Sequence, residues 1–279
     1  MKFGVVGTGT MGAGIAQILA QKGHEVLMMA RRESSIERGL GTISKGLSRG
    51  VQKGRMTQEE MDGIMALVKG TTELEDLKDV EFIIEAASEE VEAKKELFAK
   101  LDQMLGEDVI LATNTSSLSI TEIASATNRP GKVIGMHFFN PVPMMKLVEV
   151  ICGVATEPEV EKRVFALAQE LEKTAVRVEE APGFVVNRIL VPLINEGVGI
   201  LADGVASAED IDNAMKLGAN HPMGPLALGD LIGLDVCLNI MDVLYTEFQD
   251  SKYRAHPLLR KMVRAGHLGR KTKKGFFDY

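Results

Sequence analysis

The sequence predicts an α/β protein of two domains, a doubly wound sheet in residues 1–181 and a smaller all-helical domain in residues 182–279. Strand-like and helix-like segments alternate through the first domain, as is typical of a parallel sheet covered by helices. The breaker Glu180-Ala181-Pro182-Gly183 follows, and beyond it no strand-like alternation is evident. We therefore place the domain boundary between residues 181 and 182.

The first element is a short apolar strand, residues 3–6, followed by a glycine turn that leads into an apolar-periodic helix. The turn reads Gly7-Thr8-Gly9-Thr10-Met11-Gly12. In such a turn Gly7 allows the tight bend, Gly9 lets the backbone approach a pyrophosphate, and Gly12 lets the helix pack on the strand. Free N–H groups at the helix start face the anion. The segment predicts a Rossmann-type dinucleotide site.

Apolar runs and capping patterns predict the later elements of the first domain. Apolar runs predict buried strands at residues 25–29, 80–84, 109–112, 133–136 and 147–151. Capping boxes at Ser34 and Thr57 predict helices over residues 34–53 and 57–70, and Ser119 predicts the start of a short helix. Periodic segments predict helices at residues 91–105 and 157–172. Residues 85–89 are predicted to form a loop.

The second domain is predicted to be helical and to form a homodimer. We expect a helix over residues 185–203 with a kink at Pro192, a helix capped by Ser207, and a largely helical segment at residues 226–248. So much apolar helical surface often packs against a second copy of the chain. The basic residues 270–274 are interpreted as a solvated end.

Composition excludes several classes of function. The 279 residues are 45% hydrophobic and 25% charged, which is ordinary for a globular protein. The net charge of −7 disfavours nucleic acid as a partner. Cys152 and Cys237 stand in unrelated contexts, so we interpret both as packed apolar residues in a reducing compartment. No apolar stretch has the length of a membrane span or of a signal-peptide core, and we expect a cytoplasmic protein.

The end of the second strand bears on the choice of cofactor. A site for NAD usually carries an acidic residue here, which binds the ribose hydroxyls, but this chain has Ala30-Arg31-Arg32. An alanine does not repel a 2′-phosphate, and a guanidinium offers that phosphate paired donors, so the sequence favours NADP over NAD. The alternative is that both arginines are solvated and that Glu33 reaches the ribose.

A histidine and a carboxylate interrupt two apolar strands. His137 follows the run at residues 133–136, at the carboxyl end of a strand, where open α/β sheets bind their ligands. Glu149 lies inside the run at residues 147–151, and a buried carboxylate needs a partner that offsets its lost hydration. His137 is the candidate partner. The alternative is a core histidine with satisfied hydrogen bonds and an unrelated glutamate.

Two other groups of polar residues have both a functional and a structural interpretation. Lys45, Arg49 and Lys53 are spaced four apart on one helix face, and this basic stripe could hold the phosphates of a large anionic substrate. Charges of this kind more commonly form a solvated face. The polar run at residues 114–117 could supply ligand donors or could be an ordinary helix cap.

Several sequence blocks together resemble the short-chain L-3-hydroxyacyl-CoA dehydrogenases, and among them the bacterial 3-hydroxybutyryl-CoA dehydrogenases. The resemblance covers essentially the whole chain. The blocks, in order after the glycine turn, are Asn114-Thr115-Ser116-Ser117-Leu118, His137-Phe138-Phe139-Asn140-Pro141, Pro182-Gly183-Phe184-Val185-Val186-Asn187-Arg188, His221-Pro222-Met223-Gly224-Pro225 and Lys274-Gly275-Phe276-Phe277-Asp278-Tyr279.

The resemblance implies a dehydrogenase mechanism with four catalytic residues. Hydride would pass between nicotinamide C4 and substrate C3, while His137, with Glu149 as its partner, takes or gives the proton of the C3 oxygen. Histidine suits this task because its side chain ordinarily titrates near neutral pH. Ser116 and Asn187 would hold the substrate oxygen and the thioester region. No metal or covalent intermediate is needed.

The resemblance also implies the binding residues. Around the ribose and nicotinamide of the cofactor it places Glu89, Lys94 and Asn114, and against coenzyme A it places Arg49 and Lys53, with Asn140 in the substrate site. Family members that use NAD carry an aspartate where this chain has Ala30. That departure leaves the reaction unchanged, favours NADP(H) with NAD(H) possible, and suggests reduction of acetoacetyl-CoA as the physiological direction.

Two other functions remain open from the sequence alone. One is a dehydrogenase of a free hydroxy acid on the same fold, which would not need the basic stripe. The other is a dinucleotide-binding protein without turnover. The full set of polar residues, Ser116, His137, Glu149 and Asn187, argues against the second.

Overall fold

An eight-stranded sheet forms the centre of the first unit of the computed structural model, which describes residues 1–279. The chain divides into two compact units, Met1–Glu180 and Ala181–Tyr279. The sheet order is β3-β2-β1-β4-β5-β6-β7-β8. The strands are β1 Lys2–Val6, β2 Glu25–Met29, β3 Val68–Thr71, β4 Phe82–Glu85, β5 Ile110–Thr113, β6 Val133–Phe138, β7 Leu147–Cys152 and β8 Thr174–Glu179.

Six helices connect these strands. They are α1 Thr10–Gln21, α2 Glu33–Gln52, α3 Gln58–Ala66, α4 Val91–Met104, α5 Ile120–Ala124 and α6 Pro158–Glu170. Alternating strands and helices confirm the predicted doubly wound α/β class. Strand β1 has β2 on one side and β4 on the other, so the strand order reverses at its carboxyl end. Such a reversal opens the crevice where doubly wound sheets bind their ligands.

The last part of the sheet is not parallel, contrary to the prediction. Strands β1 to β6 run parallel, β7 runs antiparallel to β6, and β8 is parallel to β7. Only residues 139–146 join β6 to β7. A parallel crossover needs a dozen or more residues, so this short connection allows only an antiparallel return.

The structure corrects several predicted boundaries. Helix α2 begins at Glu33, and its N-cap residue is Arg32. No side chain makes a capping hydrogen bond there, so the predicted capping box at Ser34 is wrong. Helix α3 ends at Ala66, before β3, which was not predicted, and β8 was not predicted either. Strand β4 starts at residue 82 and includes Glu85, which was assigned to a loop. Strand β6 continues past residue 136, which places His137 inside it.

Two predicted helix caps are confirmed in detail. The Thr57 side chain accepts the backbone N–H of Glu60 at 3.1 Å, and the Glu60 carboxylate accepts the N–H of Thr57 at 2.7 Å. Ser119 accepts the N–H of Glu122 at 3.0 Å at the start of α5. Each cap satisfies N–H groups that a helix leaves without an internal partner.

Asp102 in α4 is a buried carboxylate that ties this helix to the segment before β6. Its Oδ1 accepts a hydrogen bond from Arg129 Nε at 2.6 Å, and its Oδ2 accepts two from Asn128 at 2.8 Å. Burial raises the pKa of Asp102, but these hydrogen bonds outweigh it and hold that pKa below its usual range. Arg129 also donates to the carbonyl of Leu105 at 2.8 Å, at the end of α4.

The second unit is helical and has its own apolar core. Its helices are α7 Val186–Ala202, α8 Ala208–Gly218, α9 Pro225–Ile232, α10 Leu234–Phe248 and α11 Pro257–Arg264. The cap at Ser207 is confirmed, since its side chain accepts the N–H of Asp210. Helix α7 continues through Pro192. The segment at residues 226–248 is interrupted at Gly233, whose φ of 109° breaks it into α9 and α10.

Both cysteines are free and buried, which confirms their interpretation as packed residues. Burial raises the pKa of the Cys152 thiol to about 11, so this side chain remains an unreactive thiol near neutral pH. None of the helices combines the length and the apolar character that crossing a membrane requires.

Candidate active site

The glycine turn has the backbone shape that a pyrophosphate site needs. Gly7 has a φ of 108°, and a Cβ on it would lie 2.4 Å from the carbonyl oxygen of Ala86. A Cβ on Gly12 would lie 1.9 Å from the Gly7 oxygen. These two glycines are therefore required by packing within the protein itself. A Cβ on Gly9, the N-cap of α1, would meet no protein atom within 4 Å.

The remaining residues of the turn join it to α2. Thr8 donates from Oγ1 to the carbonyl of Ser35 at 2.9 Å, so the turn and the first part of α2 are held together. Thr10 and Met11 form the start of α1, where no side chain caps the helix. The unbonded N–H groups of such a terminus attract an anion, and the partial positive charge of the helix end adds to that attraction.

The end of β2 carries two exposed guanidinium groups. The N–H of Ala30 donates to the carbonyl of Thr71 at 3.2 Å, which fixes this loop beside the end of β3. Arg31 and Arg32 are exposed, and neither has a carboxylate within ion-pair distance. Glu33 begins α2 and is exposed as well. The charges next to the predicted ribose position are therefore two cations and one anion.

A buried ion pair lies at the end of β4, and the sequence did not reveal it. Glu85 is 0% exposed and Lys94 is 2% exposed, and the Lys94 ammonium donates to both carboxylate oxygens at 2.7 and 2.6 Å. The Ala87 N–H and the Thr113 hydroxyl also donate to this carboxylate, each at 2.7 Å. A glutamate that ends an apolar strand was the available indication of this pair.

Glu89 joins the loop after β4 to the loop after β5. Its Oε1 accepts hydrogen bonds from the Ser116 N–H at 2.6 Å, the Ser116 hydroxyl at 2.9 Å and the Thr115 hydroxyl at 2.7 Å. Its Oε2 lies 3.7 Å from Lys94 Nζ. Thr115 in turn accepts the N–H of Leu118 at 3.0 Å. The structure thus brings Glu89 and Lys94, which the resemblance assigned to the cofactor, together with Ser116, which it assigned to the substrate.

His137 and Glu149 form a buried pair across two antiparallel strands. They are direct partners in the register of β6 and β7, and His137 Nδ1 lies 2.8 Å from Glu149 Oε2. His137 is 6% exposed and Glu149 is 1% exposed. Directly opposed residues of an antiparallel pair have neighbouring side chains, so the strand register itself places the carboxylate on the imidazole.

Asn114 connects this pair to the neighbouring strand ends. Its side-chain Oδ1 accepts the backbone N–H of Phe138 at 2.9 Å, next to the histidine, and its own N–H donates to the carbonyl of Glu85 at 2.7 Å. The ends of β4, β5 and β6 are thereby held in one arrangement. The polar run at residues 114–117 makes these contacts, while the α5 cap is Ser119.

The other predicted site residues are placed separately. Lys45, Arg49 and Lys53 lie on and just after α2, are exposed, and have no carboxylate within ion-pair distance. Asn140 is exposed in the loop after β6. Asn187 is half-buried in the first turn of α7, in the second unit.

Two family models match the chain from residue 2 to its end. The model described as 3-hydroxyacyl-CoA dehydrogenase, NAD binding domain, matches residues 2–181. The model described as 3-hydroxyacyl-CoA dehydrogenase, C-terminal domain, matches residues 183–279. The chain belongs to the 3-hydroxyacyl-CoA dehydrogenase family. It is therefore an oxidoreductase that acts on a CH–OH group, with a dinucleotide-binding domain.

Named relatives of this dehydrogenase family are similar over their whole length. A 3-hydroxybutyryl-CoA dehydrogenase of Clostridioides difficile is 62% identical, over 100% of this chain and 99% of the relative. A probable 3-hydroxybutyryl-CoA dehydrogenase of Bacillus subtilis is 52% identical, over 99% and 96%. The crystal structure of (S)-3-hydroxybutyryl-CoA dehydrogenase from Ralstonia eutropha matches with a TM-score of 0.95 at 48% identity, over 100% of this chain and 98% of that one.

Proposed function

We propose that the protein is a (S)-3-hydroxybutyryl-CoA dehydrogenase that interconverts acetoacetyl-CoA and (S)-3-hydroxybutyryl-CoA. The buried His137–Glu149 pair beside the ends of β4 and β5 carries this proposal, because it places an imidazole oriented by a carboxylate at the ligand-binding edge of the sheet. The names of the relatives reported above support this substrate and, in one case, this stereochemistry. The direction we propose under physiological conditions is reduction.

His137 is the general acid/base of the proposed reaction, and Glu149 is its partner. The Glu149 carboxylate faces Nδ1, so we assign proton exchange with the substrate C3 oxygen to Nε2. An ionised carboxylate at Nδ1 fixes the orientation of the ring and stabilises its positive charge. A bound nicotinamide supplies or accepts the hydride. Burial of both side chains keeps competing water from the proton, which strengthens the interaction between them.

The cofactor in this proposal is held by the glycine turn and by the loops after β2, β4 and β5. Packing does not require a glycine at position 9, whereas the close approach of a pyrophosphate would, so the turn fits a dinucleotide. Ala30, Arg31 and Arg32 would receive the 2′-phosphate of NADP(H), which we propose as the preferred cofactor over NAD(H). Glu89 and Asn114 would contact the ribose and the nicotinamide. Lys94, which is buried, would lie close to the same part of the cofactor.

The substrate would be held at both of its ends. Ser116 and Asn187 would bind the oxygen and thioester region, with Asn140 nearby in the substrate site. Arg49 and Lys53 would bind the phosphates of coenzyme A, and their lack of a carboxylate partner leaves both cations available for that contact. A dehydrogenase of free hydroxy acids would not need these two cations.

We also propose that residues 1–181 bind the cofactor and that residues 182–279 bind the substrate and form a homodimer. Exposed apolar side chains of the helical unit support the dimer: Val185, Ile189, Val205, Leu217, Leu231, Val236 and Tyr245. A number of exposed apolar groups on helices is typical of a surface that a second copy covers. The molar mass in solution, measured by light scattering, tests this part separately.

The experiment that tests the proposed function is the initial rate of acetoacetyl-CoA reduction, followed by nicotinamide absorbance with NADPH and NADH in parallel. Chiral analysis of the product identifies the hydroxyl configuration. We expect turnover, the (S) product and a lower Michaelis constant for NADPH. A preference for NADH would remove the proposed role of the arginines after β2 and leave the reaction intact. Turnover with free acetoacetate but not with its CoA thioester would overturn the proposed substrate.

A further inference from the structure

The buried carboxylate at the end of β4 is surrounded by hydrogen-bond donors. Lys94 Nζ, the Ala87 N–H and the Thr113 hydroxyl all donate to Glu85, at distances between 2.6 and 2.7 Å. The donors come from helix α4, the loop after β4 and strand β5. A neutral amide in place of this carboxylate would turn an NH₂ group toward at least one of them. The site is therefore built for an anion.

Glu85 is connected to two of the segments that carry proposed binding residues, the glycine turn and the loop after β5. The Glu85 carboxylate accepts the N–H of Ala87 and so holds the peptide between Ala86 and Ala87 in place. This peptide packs on Gly7, since a Cβ on Gly7 would lie 2.7 Å from the Ala86 carbonyl carbon and 2.9 Å from the Ala87 nitrogen. Through its backbone oxygen Glu85 accepts the N–H of Asn114. The glycine turn and the loop after β5 thus both rest on the residue that ends β4.

The contact with Lys94 extends to Ser116. Two N–H groups of the ammonium are directed at Glu85, and Nζ lies 3.7 Å from Glu89 Oε2. The other oxygen of Glu89 accepts both the N–H and the hydroxyl of Ser116. The ammonium therefore lies between one fully buried carboxylate and one that holds the proposed substrate-binding serine. An ammonium kept in place in this way sets where Glu89 can lie.

We propose that Glu85 is a positioning residue for the reaction, acting through Lys94 on Glu89 and Ser116. This inference rests on the proposed function, which it deepens. Glu85 is fully buried and does not touch the reacting atoms. It directs the Lys94 ammonium, which orients Glu89, and Glu89 presents the Ser116 hydroxyl to the substrate and its own carboxylate to the cofactor ribose.

Stability alone does not account for a buried pair of this kind. Replacing both members of a buried ion pair by neutral groups of similar volume is often neutral or stabilising, whereas removing one member leaves an uncompensated charge. The pair therefore allows a test that separates folding from function. A neutral double variant should fold, yet its Glu89 would lack the cation that orients it.

The test compares Glu85→Gln, Lys94→Met, the double variant and the parent protein. Glu92→Gln is the matched control, because it removes a carboxylate from an exposed ion pair with Lys95 on the same helix. Three quantities are measured for each protein: the melting temperature, kcat/KM for acetoacetyl-CoA, and the dissociation constant of NADPH or NADH. The chain has no tryptophan, so nicotinamide fluorescence reports dinucleotide binding without interference from that residue.

We expect each single variant to lose about tenfold or more in kcat/KM, with weaker dinucleotide binding, and the double variant to lose no more than the singles. The double variant should melt near the parent temperature, and the control should match the parent in all three quantities. A double variant with parent stability and parent activity would overturn the inference, and so would losses that add. If the parent bound dinucleotide but did not reduce acetoacetyl-CoA, the proposed function would fail, and the dissociation constants would still decide the role of Glu85.

Discussion

Glu149→Gln is the substitution that tests the proposed acid/base pair with the least change in shape. The amide has nearly the volume of the carboxylate and can still accept a hydrogen bond at the position 2.8 Å from His137 Nδ1. It lacks the negative charge that stabilises an imidazolium. The variant therefore removes a charge from the pair while the side chain continues to fill its place between β6 and β8.

The magnitude follows from the burial of the pair. Hydrogen bonds that involve a charged group contribute about 1.5–3 kcal/mol, and the low exposure of both side chains places Glu149 and His137 toward the upper end of that range. Each 1.36 kcal/mol changes a rate about tenfold, so kcat should fall by about 10- to 150-fold. The Michaelis constant should change much less, because the charge on the imidazole matters during proton transfer.

The assay is steady-state reduction of acetoacetyl-CoA, with the melting temperature measured on the same samples. Glu179→Gln is the control, because it removes an exposed carboxylate from β8, the strand next to β7. His137→Gln gives the lowest kcat expected in the series, since it removes the general acid/base itself. A folded Glu149→Gln protein with kcat within about threefold of the parent would refute the assignment of Glu149 as the partner of the histidine.

Three further predictions concern the cofactor, the substrate and stability. Arg31→Ala should raise the Michaelis constant for NADPH about tenfold and that for NADH little, and equal changes for both would show that Arg31 does not bind a phosphate. Replacing both Arg49 and Lys53 by alanine should raise the Michaelis constant for acetoacetyl-CoA while kcat stays similar, and an unchanged constant would exclude them from coenzyme A binding. Asp102→Asn should lower the melting temperature at neutral pH. The folded-state pKa of Asp102 lies below 3.8, so the difference in melting temperature between the variant and the parent should have its full size above pH 3.8. It should disappear as the pH falls through the folded-state pKa. A difference in melting temperature that does not depend on pH would contradict the charge of Asp102 as its cause.

The central strands could be predicted from the sequence, whereas the edge strands could not. Strands buried on both faces appear as continuous apolar runs, and β5, β6 and β7 were found in this way. The two missed strands, β3 and β8, lie at the two ends of the sheet order. In β3 only the first and last residues are buried, and β8 is mostly exposed, so both lack the apolar run that identifies a central strand.

The site was also predicted in part, because only one of its two buried carboxylates interrupts an apolar run. A carboxylate in the middle of an apolar run made Glu149 conspicuous, and the register of β6 and β7 confirms that it contacts His137. Glu85 stands at the end of its run, where the sequence does not distinguish the last residue of a strand from the first residue of a loop. Its partner Lys94 lies nine residues later on α4, and only the folded arrangement brings the two charges together.

The two buried carboxylates of this site differ in the chemistry of their partners, and this difference separates their proposed roles. The partner of Glu85 is an ammonium that donates to both carboxylate oxygens, so the Glu85–Lys94 pair is a doubly hydrogen-bonded arrangement suited to holding loops in place. The partner of Glu149 is an imidazole, the side chain most often used as a general acid/base, so we assign proton exchange to the His137–Glu149 pair. The strand ends that connect the pairs through Asn114 place the proposed positioning pair next to the proposed acid/base pair. Proton transfer requires a stable geometry, and in the proposed mechanism the Glu85–Lys94 pair would help to maintain it without exchanging a proton itself.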